Sequence, residues 1–307
     1  MADDHELILH HYDASPFSEK VRLILGLKSL AWRSVITPNI MPKPLLTPLT
    51  GGYRRAPVMQ IGADIFCDSQ VILAEIERRF PGPLAKAGPA FAVNLWADRL
   101  FFQASVAIIF GELGDKVPAA FIADREKLSG RAFDIAAMQA AATPMRGQWR
   151  AHAAWIEGAL GEGGPFLAGA TAGLADIAAY MNVWFLAGAT PHLAGGLLGG
   201  LPRVRDWQAR MAAIGHGRRS ELDGAGALEI ARTSEPGAFT RNDPADPLAL
   251  APGEAVSVAA DDYGRDAIIG TLVAANTERV VIARDEASLG RLQLHFPRAG
   301  YMVGPPA

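Results

Sequence analysis

The stretch SPFSEKVR, Ser15–Arg22, constrains this chain more than any other, because it reads as the point where a first strand turns into a first helix. Ahead of it, ELILHHY (Glu6–Tyr12) mixes apolar and β-favouring residues over strand length. Behind it, VRLILGLKSL sets Val21, Leu23, Ile24, Leu25 and Leu27 close together, as in a helix packed on a sheet. Ser15 suits an N-cap, and Pro16 then falls at the first helical position, where its missing N–H costs nothing. A helix start carries unpaired backbone N–H groups and the positive end of the dipole, so it favours an anion such as a thiolate.

At 307 residues the chain is expected to form two or three domains of about 100–200 residues each. A formal net charge of -3 shows no basic excess and argues against a nucleic-acid partner. Cys67, the one cysteine, excludes an intramolecular disulfide framework. The start MADDHE lacks a signal peptide's basic and apolar regions, and no apolar run is read as reaching the roughly 18 residues of a membrane span. A soluble, cytoplasmic protein with no membrane partner is expected.

After the first helix (about 16–30), a strand is expected near Trp32–Ile36, then a connection broken by Pro38, Pro42, Pro44 and Pro48. PVMQIG (Pro57–Gly62) and DIFC (Asp64–Cys67) are separated at hairpin spacing, and DSQVILAEIERRF opens a helix capped by Asp68 or Ser69. The order βαβ, then ββα, gives a thioredoxin-like sheet. A change of character follows Pro81-Gly82-Pro83, read as a linker. Helices are expected over Phe91–Phe110, within VPAAFIADREKL, over about Phe133–Leu160 with a bend at Thr143-Pro144, within Phe166–Gly188, and over Leu201–Ile214.

Residues 6–83 resemble the N-terminal domain of cytosolic glutathione transferases, closest to the omega-like pattern with Ser15 in place of its cysteine. The features that carry the resemblance are the strand–SPFS–helix start, Lys43-Pro44, Ala56-Pro57-Val58 and Asp68-Ser69. FLAGATAGLADIAAYMNVWFLAG resembles the core helix of the family's C-terminal domain, with Asp176 read as structural and Gly173 in place of the usual cap. The fold class expected is therefore α/β plus all-α: a thioredoxin-like glutathione-binding domain (1–83), then an all-helical domain (88–220). A linker (221–250) and a small β-rich extension (251–307) follow, with strands at about 255–259, 267–274, 279–283, 291–296 and 300–303. A small barrel or meander is expected there, with no chemistry attached.

The resemblance implies glutathione as co-substrate, a small electrophilic second substrate and a homodimer; His10, His11, His152, His192, His216 and His295 are scattered and suggest no metal site. It implies that a hydroxyl near the sulfur stabilises the thiolate, whose free thiol has a pKa near 8.5. Ser15 is either that donor or only an N-cap, and Ser18 is the second candidate. A serine cannot form the mixed disulfide of an omega-like cysteine, which disfavours thiol exchange. Asp68 and Ser69 are expected at the γ-glutamyl end of glutathione, the Ala56 backbone beside a cis Pro57 at its cysteinyl part, and Lys43 at its glycyl carboxylate. Lys43 is otherwise a solvated loop lysine, with Arg54 and Arg55 near enough to substitute, and Phe17 packs on glutathione or covers the helix end. Trp96 or Phe102 is expected to wall the second-substrate site, unless that aromatic stripe is core. A non-catalytic binding protein, and a glutathione-dependent lyase, reductase or isomerase, are the alternatives.

Overall fold

The computed structural model describes residues 6–82, 89–167 and 169–306. The first unit follows the order expected: β1 (Ile8–His11), α1 (Pro16–Leu27), β2 (Ala31–Ile36), β3 (Val58–Ile61), β4 (Asp64–Cys67) and α3 (Ser69–Arg79). β1 runs parallel to β2 and antiparallel to β3, and β3 and β4 form the hairpin. The proline-rich connection folds only one short helix, α2 (Thr47–Thr50). Residues 83–88, where the sequence places the domain boundary, lie outside the described residues.

The helical unit comprises α4 (Pro89–Trp96), α5 (Phe102–Leu113), α6 (Ala119–Ser129), α7 (Ile135–Gly163), α8 (Leu174–Ala189), α9 (Pro191–Leu197) and α10 (Pro202–Ala213). The stretch read as one helix over Phe91–Phe110 is α4 and α5 joined by a π-helical turn, Ala97–Phe101. By length and composition the helix Pro89–Lys116 is apolar enough to cross a membrane, contrary to the sequence reading. Its buried residues, Phe101, Ala104, Ile108 and Ile109 among them, belong to the core shared with Trp149, Ile156 and Ile177. Pro144 lies inside α7. Asp176 accepts from the Gly173 and Leu167 N–H groups and from the Trp207 indole, which is the structural role expected of it.

The extension's strands fall close to their expected places: β6 (Ala255–Ala260), β7 (Ile268–Ala275), β8 (Arg279–Glu286), β9 (Gly290–Pro297) and β10 (Tyr301–Gly304). They are not a separate barrel. β9 pairs in parallel with β4, so that one sheet runs β10-β6-β7-β8-β9-β4-β3-β1-β2-β5 through both parts. β5 (Arg218–Glu221) covers the opposite edge by pairing with β2, and α11 (Gly224–Arg232), inside the stretch read as a linker, lays Ala227 against Ile8 and Val35. Both edges of the small sheet are thereby occupied, which removes rows of unpaired backbone groups.

Alternation along β3 and β4 divides their side chains between two cores. Met59, Ile61 and Phe66 face α1 and α3, while Val58, Ile65 and Cys67 pack with Val280, Ile282 and Leu294 of the extension. Cys67 is fully buried, and burial pushes its thiol well up, as for a core side chain rather than a nucleophile. Across this seam Glu75 of α3 accepts from Arg279 of β8 at 2.9 Å, and His295 of β9 meets Asp64 at 2.8 Å. Burial alone would raise the Glu75 carboxyl, but hydrogen bonds from Arg78 and Arg79 and the charge of Arg279 outweigh it and hold it at about 2, below its ordinary value of 4.5.

A carboxylate with a depressed native pKa contributes stability above its unfolded value and loses it as the pH falls through the folded one. Glu75→Gln is therefore expected to lower unfolding free energy at neutral pH by about 3 kcal/mol, since it strands a buried Arg279. Urea unfolding as a function of pH should show the parent–variant gap closing as the pH falls from 4.5 to about 2.

Candidate functional site

A cavity of about 400 Å³ opens between the β1–α1 junction and the helical unit. Tyr12, Ala14, Pro16 and Phe17 form its floor, because β1 ends and α1 begins there. Phe102, Phe110, Phe121, Phe133 and Phe185 supply the opposite wall. Phe110 lies 5.5 Å from Phe121 and 5.0 Å from Phe133, and Phe17 packs edge-on against Phe102 at 4.8 Å. Such a wall takes an apolar or aromatic molecule. Trp96, the other aromatic expected there, packs instead on Phe101, His152 and Trp155.

The residues expected at the site divide by position. Ser15 is the N-cap of α1; it is 1% exposed and its Oγ accepts from the Ser18 N–H at 3.1 Å. Ser18 is fully buried, and its Oγ has no hydrogen-bond partner among the described residues. Neither serine lines the cavity, whereas Phe17, Lys43 and Ala56 do. The Ala56-Pro57 bond is cis, and Pro57 is buried behind Ala56. Asp68 and Ser69 stand at the start of α3, with Asp68 capping the Gln70 N–H at 2.8 Å and Ser69 Oγ accepting from Lys20 Nζ at 3.1 Å.

Lys43 is 4% exposed, and its ammonium donates to the Arg54 carbonyl at 2.8 Å. Burial, with the charge of Arg125 beside it, pulls it from 10.5 down to about 8. Arg54 is paired with Asp124 at 2.6 Å. The cavity lining contains Lys43, Arg54, Arg55, Lys116 and Arg125 but no Asp or Glu, so its polar end suits an anion.

Several residues at this site carry no signal in the sequence. Tyr12 reads as the last residue of a strand, yet it lines the cavity. Lys20 sits mid-helix, fully buried, and binds Asp98 at 2.8 Å; Asp98 occupies the π-helical turn, a local widening common at functional sites. Burial pushes the Asp98 carboxyl up, and Lys20 only partly offsets this. From the extension, Tyr301 donates to Asp68 at 3.1 Å, and Asp262 pairs with Arg55. His10 and His11 are held at about 4 and about 3, mainly by burial. Among the described residues no group of three His, Cys, Asp or Glu side chains is placed to hold a metal.

The architecture defines a thioredoxin-like domain joined to a helical domain, with a cavity where the two meet. Residues 9–84 match the family model of the glutathione S-transferase N-terminal domain, and residues 134–210 that of the glutathione S-transferase C-terminal domain. A GST-like protein from Pseudomonas syringae is similar at 34% identity and a TM-score of 0.80, over 98% of this chain and 99% of that one. The β-rich C-terminal region is therefore shared with it. A glutathione S-transferase from Rhodospirillum rubrum F11 gives 22% identity and a TM-score of 0.51 over 67% of this chain and 88% of its own. Beta-etherase LigF from Sphingobium sp. gives 17% and 0.52 over 67% and 95%; these last two share the fold alone. The curated proteins contain no match. The chain belongs to the cytosolic glutathione transferase superfamily.

An anion placed beside Lys43 favours its charged form and raises its pKa from about 8. Binding of a carboxylate ligand above that pH is therefore expected to take up a proton, and affinity should weaken as the pH rises further. Calorimetry in two buffers of different ionisation enthalpy reads the uptake, which Lys43→Met should abolish.

Proposed function

We propose that this protein binds glutathione across the cleft and presents its thiol, at the start of α1, to an electrophilic carbon of an apolar molecule in the aromatic pocket. One observation carries the reading: a single cavity joins the α1 start, Ala56 beside a cis proline and the buried cation Lys43 to that pocket. The glycyl carboxylate goes to Lys43, the cysteinyl main chain to Ala56, and the γ-glutamyl end to Asp68 and Ser69. The thiol proton leaves to solvent on binding, and the sulfur then forms a bond to carbon as the electrophile's leaving group departs. The dipole of α1 favours the thiolate.

Among the hydroxyls of Tyr12, Ser15 and Ser18, position favours Tyr12, because it lines the cavity while Ser15 is engaged in the helix cap and Ser18 is fully buried. We assign Tyr12 the donor role and Ser15 the structural one. A homodimer in the cytoplasm belongs to the same proposal. A second reading, ligand binding without turnover, is favoured by one contact, the Tyr301 hydroxyl already seated on Asp68.

With an aryl halide and glutathione, Tyr12→Phe is expected to lower kcat by roughly 10²-fold while leaving the fold unchanged. Ser15→Ala should instead cost about 1 kcal/mol of stability, with turnover kept. Turnover lost only in folded Ser15→Ala would return the role to the serine. Glutathione binding with no turnover across a panel of electrophiles would establish the second reading.

A further inference from the structure

The β6–β7 loop, residues 261–265, leaves the extension and reaches over the cleft. It is fastened on three sides: Asp261 to Arg99 of the helical unit at 2.6 Å, Asp262 to Arg55 at 2.5 Å, and the Gly264 N–H to the Leu128 carbonyl of α6 at 2.5 Å. Gly264 has φ +60°, and a Cβ there would come within 2.9 Å of Leu128 Cδ1 and 3.1 Å of Arg55 Nε. Glycine permits this approach and larger residues do not. Tyr263 lies against the Arg55 guanidinium, 4.1 Å from carbon to ring centroid.

Tyr263, Arg55 and Phe17 line both the main cavity and a second chamber of about 40 Å³, and so form the partition between them. Asp68 stands in that chamber with Asp98, Asp262 and Arg99. Charges of both signs around one small space are what an ammonium–carboxylate head requires. The space itself admits a water or two and not such a head.

We propose that Asp262 and Tyr263 form a clasp over the γ-glutamyl subsite, in which Asp262 holds on Arg55 the place of a ligand carboxylate. This rests on the glutathione reading above. A γ-glutamyl head enters by displacing Asp262 from Arg55 and moving the Tyr263 ring, whereas a thiol without that head leaves the clasp shut. The extension is then a specificity-determining part of the thiol site, and it selects against the longer ligand unless the added contacts repay opening.

Calorimetry with glutathione and with cysteinylglycine, on the parent, Asp262→Asn and Tyr263→Ala, tests the clasp. Asp262 is part-exposed in a loop, so both variants are expected to fold, which thermal unfolding checks. Asp262→Asn should raise glutathione affinity roughly fivefold, the scale of a part-buried ion pair, and Tyr263→Ala should act in the same direction. Cysteinylglycine affinity should stay within about twofold in both. If both folded variants bind glutathione no better than the parent while cysteinylglycine still binds, the clasp is wrong and the glutathione reading stands. If neither thiol binds the parent or either variant, the glutathione reading itself fails and takes the clasp with it.

Discussion

The parallel ladder between β4 and β9 is the contact on which the rest of this structure depends. Asp64, Ile65 and Phe66 pair with Gln293, Leu294 and His295, and the thioredoxin-like sheet continues without a break into the extension. A β4 left at the sheet edge would expose unpaired backbone groups along an apolar strand. Pairing with β9 satisfies them and gives Val58, Ile65 and Cys67 a second core to enter. The Glu75–Arg279 and Asp64–His295 pairs then fix the register across the seam, with Phe66 stacked on His295 at 4.3 Å. Only because β9 is held there does Tyr301 arrive at Asp68 and the β6–β7 loop arrive at Arg55.

The cleft separates two kinds of chemistry by the elements that build it. Loops and helix starts of the thioredoxin-like domain bring polar backbone and the buried Lys43, and the helical domain adds Lys116 and Arg125. The helical domain brings the aromatic wall. A thiol ligand lying along the first and an apolar molecule against the second would meet at the β1–α1 junction, where the dipole of α1 favours negative charge. Preorganisation of this kind needs no metal-binding cluster, and its cost appears elsewhere, as in a lysine pulled down to about 8 by burial.

Much of this was legible because the signals are local. A serine cap followed by proline, an alanine–proline pair before a strand and an Asp-Ser helix start each report backbone geometry that a few residues decide. The extension's strands could be read to within a few residues from alternation and turn residues. Its partner could not, since the β4–β9 pairing joins positions far apart in sequence and neither strand carries a local signal that names the other. The shortage of polar residues in VMQI and DIFC was the hint, because a strand covered on one side alone would alternate. Lys20 reads as a surface lysine until Asp98, 78 residues on, is brought to it by the π-helical turn. Ser15 shows the limit most plainly: one residue type serves both a cap and a thiol donor, and only the structure shows its Oγ engaged as the cap. α9, PHLAGGL, escaped notice because Gly195 and Gly196 interrupt its apolar pattern.

On the proposed reading, this cleft holds a glutathione sulfur as an anion at the start of α1. Ultraviolet titration of the thiolate in the glutathione complex of the unaltered protein tests it most directly. The bound thiol should ionise at least about one pH unit below the free value near 8.5. A bound thiol that titrates like free glutathione would contradict it, and would leave a binding site without the chemistry proposed for it.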